Sequence, residues 1–522
     1  MSVLLTMPMD SRRCIAAAIC IQLNSKPYVI TVMQTLPVHH SSLTPLKSVV
    51  ETEKKLSVES DFRLPALSGH PLPRQIFRST YFDTLDHCLA RASITLRRRT
   101  EKGSPVWQLK LPLDGARREI ELRDGSTTPP ARFANALIVL LEGKQLVPIA
   151  ELQTSRTGMR VGDGKNHDVE VVLDTVSVLR QGSVIQRFKE LEIESLNGNE
   201  GGIEELASAL YGAGARHHDG RPKLFKALSI PFHSLDEPDG HVSIVDHIRY
   251  GLIQQLQRVK QCDPGIRLCG DVEDVHRMRV AARRMRTILL SVRKIVAAEW
   301  VDPLLSGVKW LGGVFGRVRD IDVQMDYFRR EANELKARDR RPLEPFLRHL
   351  QSDRDQAYQM VLDEMKSARY IGFVSKLGEA AESPMVEDLE YTLTDAAARQ
   401  FRKLRKTVKS FKQSPSDAEL HRVRIKTKRA RYAAEIARGH DSKAIGRFIK
   451  RAGRLQELLG RHQDAVLAER YVEGFLKYQG RRQAAFTAGL LAARAKQRRE
   501  EVREEFWSEW KRLKRRGKRA WK

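Results

Sequence analysis

HRMRVAARRMR, at residues 276–286, concentrates positive charge on one helix, and the pattern recurs as HRVRIKTKRAR at residues 421–431. At 100° per residue, each copy predicts an amphipathic helix with an apolar back and a cationic face. The cationic face consists of His276, Arg279, Arg283 and Arg286 in the first copy and of His421, Arg424, Lys428 and Arg431 in the second. A basic run is commonly just a solvated helix face, but like charges at this spacing repel and reduce helix stability. Because the chain repeats the arrangement, we expect the face to bind an anion.

The repeat extends beyond these helices. FGRVRDIDV (315–323) parallels LGRHQDAVL (459–467) through Gly-Arg-x-x-Asp. Each unit therefore contains at least two helices, and two such units predict an all-α bundle with an internal repeat over residues 241–510.

The charge of the 522-residue chain is unevenly distributed. The formal net charge is +27, but residues 1–240 contain 30 Lys and Arg against 28 Asp and Glu, whereas the remainder contains 62 against 37. The excess lies in the second half, which indicates two domains with different roles and a polyanion or an anionic surface as the partner of the second.

The first half has a different pattern, in which charged residues alternate with apolar ones along predicted strands. In WQLKLP, Gln108 and Lys110 oppose Leu109 and Leu111, and in KELEIES, three glutamates share one parity. One such strand is commonly the wet face of a half-buried sheet. A sheet closed into a barrel would instead collect these side chains in one polar lumen, where carboxylates suit Mg²⁺ and basic residues suit phosphate oxygens.

These segments resemble the CYTH, or triphosphate tunnel metalloenzyme, family. ETEKK (51–55) is similar to its opening E-x-E-x-K signature, and similar motifs follow in order: STYFDT (79–84), LRRR (96–99), LKLP (109–112), RREIE (117–121), QTSRTG (153–158), ELEIE (190–194) and RPKLF (221–225). Pro222 stands where the family commonly has Ser. The resemblance covers residues 47–230 and implies an antiparallel eight-stranded β-tunnel over residues 47–235, whose family members hydrolyse or cyclise triphosphates with Mg²⁺ or Mn²⁺.

The resemblance also implies roles for individual residues. The implied metal ligands are Glu51, Glu53, Glu190, Glu192 and Glu194. The implied phosphate contacts are Lys55, Arg97, Arg99, Lys110, Arg117, Arg156 and Lys223. Lys55 and Glu119 are the catalytic candidates, and the general base is either Glu119 or a metal-bound hydroxide.

The second half resembles the CHAD domain, a helical domain named for its histidines. H-x-x-R-V-x-x-R-R-x-R in the first copy, RVRDIDV (317–323) and RYAAE (431–435) are similar to its motifs. The resemblance implies a helical bundle that binds inorganic polyphosphate, with Arg277, Arg284 and Arg429 added to the cationic faces above.

The whole chain is therefore predicted to be a multidomain α+β protein. A CYTH domain followed by a CHAD domain resembles the arrangement of bacterial inorganic triphosphatases. This resemblance implies a phosphohydrolase in the cytoplasm, with association with polyphosphate granules as a further option. The alternatives are an adenylyl cyclase or thiamine triphosphatase of the same superfamily, and a polyphosphate-binding protein without turnover. Nucleic-acid binding is disfavoured because aromatic residues make up only 7% of the chain.

The remaining segments carry less information. The five cysteines fit no zinc spacing and indicate reduced thiols. Residues 1–46 are expected to be a flexible extension, with a signal peptide as the alternative, because the apolar IAAAICIQL (15–23) is far shorter than the ~20 residues of a membrane span. No membrane is expected as a partner. Residues 511–522 are expected to be a frayed basic tail.

Overall fold

The structure is a computed structural model that describes residues 45–101, 103–113, 115–162, 169–196, 200–218, 220–230, 243–387, 392–411, 414–437, 443–478 and 482–521. The extension predicted for residues 1–46 lies almost entirely outside the described residues. Within them, no helix is both long enough and apolar enough to cross a membrane.

Eight antiparallel strands close into a barrel, which confirms the predicted tunnel fold. The strands are β1 (Lys47–Ser57), β2 (His70–Asp83), β3 (Thr95–Glu101), β4 (Ser104–Leu113), β5 (Ala116–Leu122), β6 (Val147–Val161), β7 (Val169–Arg180) and β8 (Ser183–Ser195). Their order is β5-β4-β3-β2-β6-β7-β8-β1, and the first half of β1 pairs back to β5, so the sheet has no free edge there. A two-residue strand, β9 (Arg216–His217), adds to the end of β1.

The barrel turns its polar faces inward because its apolar faces are buried outside. Trp107 and Leu109 of β4 pack against Phe133, in a cluster beneath α2 (Ala131–Ala136) and α3 (Ile138–Leu141). On the other side, Leu191 and Ile193 of β8 pack beneath α4 (Glu200–Gly212). Since side chains alternate along a strand, the charged residues between these positions must face the lumen.

Two short helices lie at one end of the barrel. α1 (Cys88–Arg91) follows β2, and α5 (Lys223–Leu228) begins after Pro222. Leu224 packs in a cluster with Tyr81 and Val178. This contact holds the first residue of α5, Lys223, at the inner end of the tunnel.

The second half is helical, as predicted. Its helices are α6 (Ile244–Cys269), α7 (Val272–Val292), α8 (Ala298–Val314), α9 (Gly316–Asn333), α10 (Ala337–Arg340), α11 (Leu343–Lys366), α12 (Ala368–Glu382), α13 (Leu393–Lys409), α14 (Asp417–Ile436), α15 (Lys443–Tyr478) and α16 (Arg482–Ala520). The repeated motifs occupy equivalent places, since His276 and His421 are each the fifth residue of their helices, α7 and α14. The predicted apolar backs are buried, with Met278 and Val423 both fully inaccessible.

The expectation that residues 511–522 fray is wrong for residues 511–520, which continue α16. Leu513 is fully buried in a cluster with Phe506 and Phe448, because apolar residues continue at helical spacing through the basic segment. The helical region therefore extends ten residues beyond the predicted boundary.

A buried ion-pair cluster joins the two halves. Arg118, on the outer face of β5, contacts Asp271 and Asp274 at the start of α7, each at 2.9 Å. Burial, only partly offset by Arg118, raises the pKa of Asp274 to about 6. Arg277 also donates a hydrogen bond from Nη1 to the Pro112 carbonyl of β4 at 3.2 Å. The helix that carries the first cationic face thus begins on the wall of the tunnel.

We predict that Arg118→Met lowers the free energy of unfolding by about 3 to 5 kcal/mol, because the buried Asp274 carboxylate loses its closest cation and keeps only the longer contact with Arg277 at 3.3 Å. Urea unfolding followed by circular dichroism measures the change. Arg123→Met, at an exposed position beyond the end of the same strand, is the matched control and should have almost no effect. Adding Asp274→Asn to Arg118→Met should recover part of the loss, and an Arg118→Met protein as stable as wild type would contradict the prediction.

Candidate functional site

The tunnel site is built on the pairing of β1 with β8. The register places Glu53 opposite Glu194 and Lys55 opposite Glu192. All four side chains share the inward parity, so three carboxylates and one ammonium group meet in a narrow part of the lumen.

Three of the five predicted metal ligands come together there. Glu53, Glu192 and Glu194 each offer a carboxylate oxygen, and these oxygens lie within 4.8 Å of one another. Burial raises the pKa of Glu194, and the charges of Glu192 and Glu53 add to this effect against the opposing influence of Arg156. Three carboxylates this close together repel one another when they are all ionised. A hard divalent cation, which prefers oxygen ligands, would offset that repulsion.

The other two predicted ligands lie in separate ion pairs. Glu51 accepts a hydrogen bond from Lys110 Nζ at 2.6 Å. Glu190 has Lys55 and Lys223 within 3.3 and 3.0 Å of its Oε2. Glu190 shares both lysines with Glu192, so it borders the three-carboxylate group without belonging to it, whereas Glu51 pairs with Lys110.

The predicted cations surround this group. Lys55 and Lys223 approach Glu192 Oε1 at 2.6 and 2.8 Å. Burial opposes the charge of each lysine, but the neighbouring carboxylates outweigh it and raise both pKa values. Both amines therefore remain protonated at neutral pH. Lys223 also reaches the lumen, although Pro222 precedes it.

Arg156 connects several carboxylates at once. Its Nε and Nη2 form a bidentate contact with Asp174, at 2.8 Å each, and Nη2 also donates to Glu192 at 2.7 Å. Burial disfavours the guanidinium charge, but Asp174 and Glu192 raise the pKa of Arg156. The arginine is therefore a fixed cation beside the candidate metal group.

Lys110 lies between two carboxylates with different proton affinities. It contacts Glu51 and Glu119, each at 2.6 Å. Burial raises the pKa of Glu51 to about 7, despite Lys110. For Glu119, burial is outweighed by Lys110 and Arg97, which lower its pKa to about 2. Of these two carboxylates, Glu51 therefore binds a proton more readily than Glu119.

Two of the three arginines of β3, Arg97 and Arg99, also face inward. Arg97 donates from Nε to Gln108 Oε1 at 2.8 Å and from Nη1 to the Tyr81 hydroxyl at 3.2 Å. Arg99 lies over the Phe77 ring, with its guanidinium carbon 3.8 Å from the ring centroid. Both are placed to extend the cationic lining from Lys110.

Arg117 is not brought into the same group. It shares the parity of Glu119, but its Nη2 donates to the Ser93 carbonyl at 3.0 Å, next to α1. Its distance from the three-carboxylate group follows from the tilt of the strands, which alternation alone does not predict.

Asp174 and His218 are lumen residues that were not predicted from the sequence, whereas the alternation in WQLKLP already placed Gln108 on the lumen face. Asp174 is fully buried and holds both Arg156 and Lys223. His218 Nε2 lies 3.2 Å from Glu190 Oε1, and Gln108 Nε2 donates to Glu119 at 2.6 Å. Asp174 was the most accessible to prediction, because it lies on the same parity as Glu170 in a β-branched strand.

In the helical region, the two repeated faces meet each other. We call the shared patch the central cluster, and it consists of His276, Arg279 and Arg283 from α7, Arg319 from α9, and Arg424 and Lys428 from α14. Burial, reinforced by Arg283 and Arg424, lowers the pKa of Lys428 to about 7. Burial and Arg319 lower the pKa of His276 to about 4. Half-buried cations that lie close together form a site that a bound anion would stabilise.

The repeat also positions counter-charges symmetrically. Arg279 Nη1 contacts Asp320 at 2.8 Å, and Asp464, the equivalent aspartate of the second unit, acts on Arg424. Each aspartate follows Gly-Arg-x-x in the repeated motif and holds one arginine of the central cluster in place.

Six predicted residues lie outside the central cluster: Arg277, Arg284, Arg286, His421, Arg429 and Arg431. Arg284 and Arg431 both contact Glu435, at 3.5 and 2.8 Å, beside Tyr432. Arg286 is exposed. His421 is also exposed, and its Nδ1 lies 2.5 Å from Gln463 Oε1, whereas the equivalent His276 is near Arg319. The replacement of Arg319 by Gln463 makes the two units electrostatically unequal.

Each half of the chain matches a known domain family. The CYTH domain family matches residues 46–213, and the CHAD domain family matches residues 251–473. An uncharacterized protein of Mycobacterium tuberculosis is 27% identical over 484 residues, which is 85% of this chain and 92% of that protein. The relative therefore spans both domains.

Solved structures resemble each half separately. The CHAD domain from the plant Ricinus communis is 23% identical and covers 53% of this chain and 96% of its own, with a TM-score of 0.43. HpAC1 from Hippeastrum, for which a dominant triphosphatase activity is reported, is 19% identical and covers 36% of this chain and 99% of its own, with a TM-score of 0.23. The family matches therefore show that this chain contains a CYTH domain within residues 46–213 and a CHAD domain within residues 251–473.

Proposed function

We propose that the protein is a metal-dependent inorganic triphosphatase whose CHAD domain binds inorganic polyphosphate. The observation that carries the proposal is the three-carboxylate group, Glu53, Glu192 and Glu194, enclosed by cations in a closed tunnel. A cytoplasmic location is part of the proposal and follows from its substrates.

The ion pairs of the tunnel support triphosphate binding by exchange of partners. Lys55, Lys110 and Arg156 each contact carboxylates now. Phosphate oxygens would replace these contacts, with Arg binding as a bidentate fork and Lys as a point charge. Mg²⁺ or Mn²⁺ held by Glu53, Glu192 and Glu194 would supply charge neutralisation and a water of lowered pKa.

The chain's own residues would then orient the triphosphate and stabilise the charge of the transferred phosphoryl group. Glu119 is poorly suited as a general base, because a pKa of about 2 lies far from neutral pH.

The lining favours inorganic triphosphate over a nucleotide or thiamine triphosphate. A base or thiazolium ring requires an apolar or aromatic wall. Phe77 is only 5% exposed and Arg99 covers its ring, while the Tyr81 hydroxyl is engaged by Arg97. The aromatic groups of the lumen are therefore covered by the cations that would bind phosphate.

We predict that the wild-type protein with Mg²⁺ or Mn²⁺ releases phosphate from tripolyphosphate faster than from ATP. Glu53→Gln and Glu194→Gln should each lower this rate by about a hundredfold or more, since each removes a charged ligand of the metal. Phosphate release at saturating metal is the measurement. Glu204→Gln, on the exposed outer side of the barrel, is the control and should retain the wild-type rate. Wild-type rates in both tunnel variants would refute the proposed site.

Charge reversal in the central cluster tests the second part of the proposal. Arg283→Glu and Lys428→Glu should each weaken binding of long-chain polyphosphate about tenfold or more, because each replaces an attraction with a repulsion. Arg422→Glu lies on the same helix as Lys428 but off the cationic face, so it should change affinity little. Calorimetric titration measures the affinities, and equal losses in all three variants would contradict the assignment.

The low pKa of Lys428 predicts proton uptake on binding. Near pH 8 the amine is mostly neutral, since its pKa is about 7, and a bound polyanion favours the charged form. Polyphosphate affinity should therefore fall as pH rises from about 6 to about 9, with uptake of up to one proton. Titration in buffers of different ionisation enthalpy measures this uptake. Lys428→Arg, which stays charged, should bind without it, and uptake equal to wild type in that variant would exclude Lys428 as the source.

A further inference from the structure

The paired ends of α15 and α16 form a cationic surface from residues that neither site uses. Residues 511–519 contain seven Lys and Arg, residues 443–454 contain five, and neither segment contains Asp or Glu. Slight desolvation and the charges of Arg519 and Arg447 lower the pKa of Arg516, so the cations of the two helices lie side by side. We define the terminal surface by six exposed members: Arg447, Lys450, Arg454, Lys514, Arg515 and Lys518.

Few counter-charges accompany this surface. Glu509 is the carboxylate next to it, and it contacts Arg451 and Arg512 at 3.8 and 2.5 Å. Among the residues that the structure describes, none of the six members has a carboxylate at ion-pairing distance. The terminal surface is therefore a concentrated positive charge without internal neutralisation.

Stabilisation of the end of α16 explains only part of this positive charge. Cations in the last turn of a helix interact favourably with the helix dipole. Residues 511–519 span about two and a half turns, however. They place like charges four residues apart, for example Lys514 and Lys518, and such pairs are destabilising. The outer turns therefore carry charge beyond what helix stability favours, which indicates an anionic partner.

The chemistry of the surface distinguishes between polyanions. The apolar side of this helix is buried, because Leu513 is inaccessible and Gly517 lies against Phe401. No apolar side is left to enter a membrane. In the described part of these two segments no aromatic ring is exposed for base stacking, since Trp521 is half-buried against Phe448. A flexible inorganic polyanion needs neither feature.

The surface is also continuous with the repeated basic helix. Arg431 Nη1 lies 3.7 Å from the position that a Cβ on Gly453 would occupy, so α14 closely approaches the basic turn of α15 there. We infer that the terminal surface binds the distal part of a long polyphosphate chain whose other part lies on the central cluster. This inference rests on the proposed polyphosphate binding of the CHAD domain.

The test uses the full chain with Lys514→Gln, Arg515→Gln and Lys518→Gln combined. Affinity for long-chain polyphosphate should fall about tenfold or more at low salt, and the slope of log affinity against log salt should decrease by about 2, as expected for three lost phosphate contacts. Affinity for short-chain polyphosphate should be unchanged. Lys336→Gln, Arg341→Gln and Arg348→Gln, at exposed positions on and next to α10 and α11, form the control.

A second variant combines Arg447→Gln, Lys450→Gln and Arg454→Gln and serves if the first does not fold, as judged by circular dichroism. Wild-type affinity for long-chain polyphosphate in a folded variant overturns the inference. So does a loss confined to duplex DNA or to anionic vesicles. If wild-type protein binds no polyphosphate at all, the proposed function itself fails, whereas dependence on the central cluster alone rejects only the terminal surface.

Discussion

The structure depends on mutual neutralisation of charges inside a closed barrel. Once the apolar faces of the strands are buried beneath outer helices, the charged residues between them must face the lumen. Isolated charges there would be costly to desolvate, and one lysine between two glutamates, as with Lys110, reduces that cost. The same arrangement leaves cations and carboxylates interleaved, so a triphosphate with a divalent metal can replace the internal partners by equivalent charges.

The helical region follows the opposite rule, because its cations are crowded against one another. In the tunnel, carboxylates outweigh burial and raise the pKa of Lys55, whereas burial together with neighbouring arginines lowers the pKa of Lys428 to about 7. A neutralised cluster suits a small substrate that arrives with its own metal, and an under-neutralised cluster suits a polyanion that brings only negative charge. The buried contact of Arg118 with Asp271 and Asp274 joins the two environments on one wall.

Much of this arrangement could be predicted from the sequence, and the limits have physical causes. Alternation predicts that Glu190, Glu192 and Glu194 face the same side. Which of them meets Glu53 depends on the β1–β8 register and on barrel tilt, which alternation does not specify. The repeat likewise predicts two cationic faces but not that they meet. The folded state of residues 511–520 was missed because charge density outweighed the apolar positions at helical spacing, such as Leu513.

The central claim is that metal and triphosphate bind the tunnel as one unit, the metal on the carboxylates and the phosphates on the cations. Equilibrium binding of a non-hydrolysable triphosphate analogue, with and without Mn²⁺, tests it most directly. The account predicts that Mn²⁺ strengthens analogue binding about tenfold or more, and that Glu194→Gln removes this effect. Analogue binding that is equally tight without metal, or coupling that persists in Glu194→Gln, would contradict it.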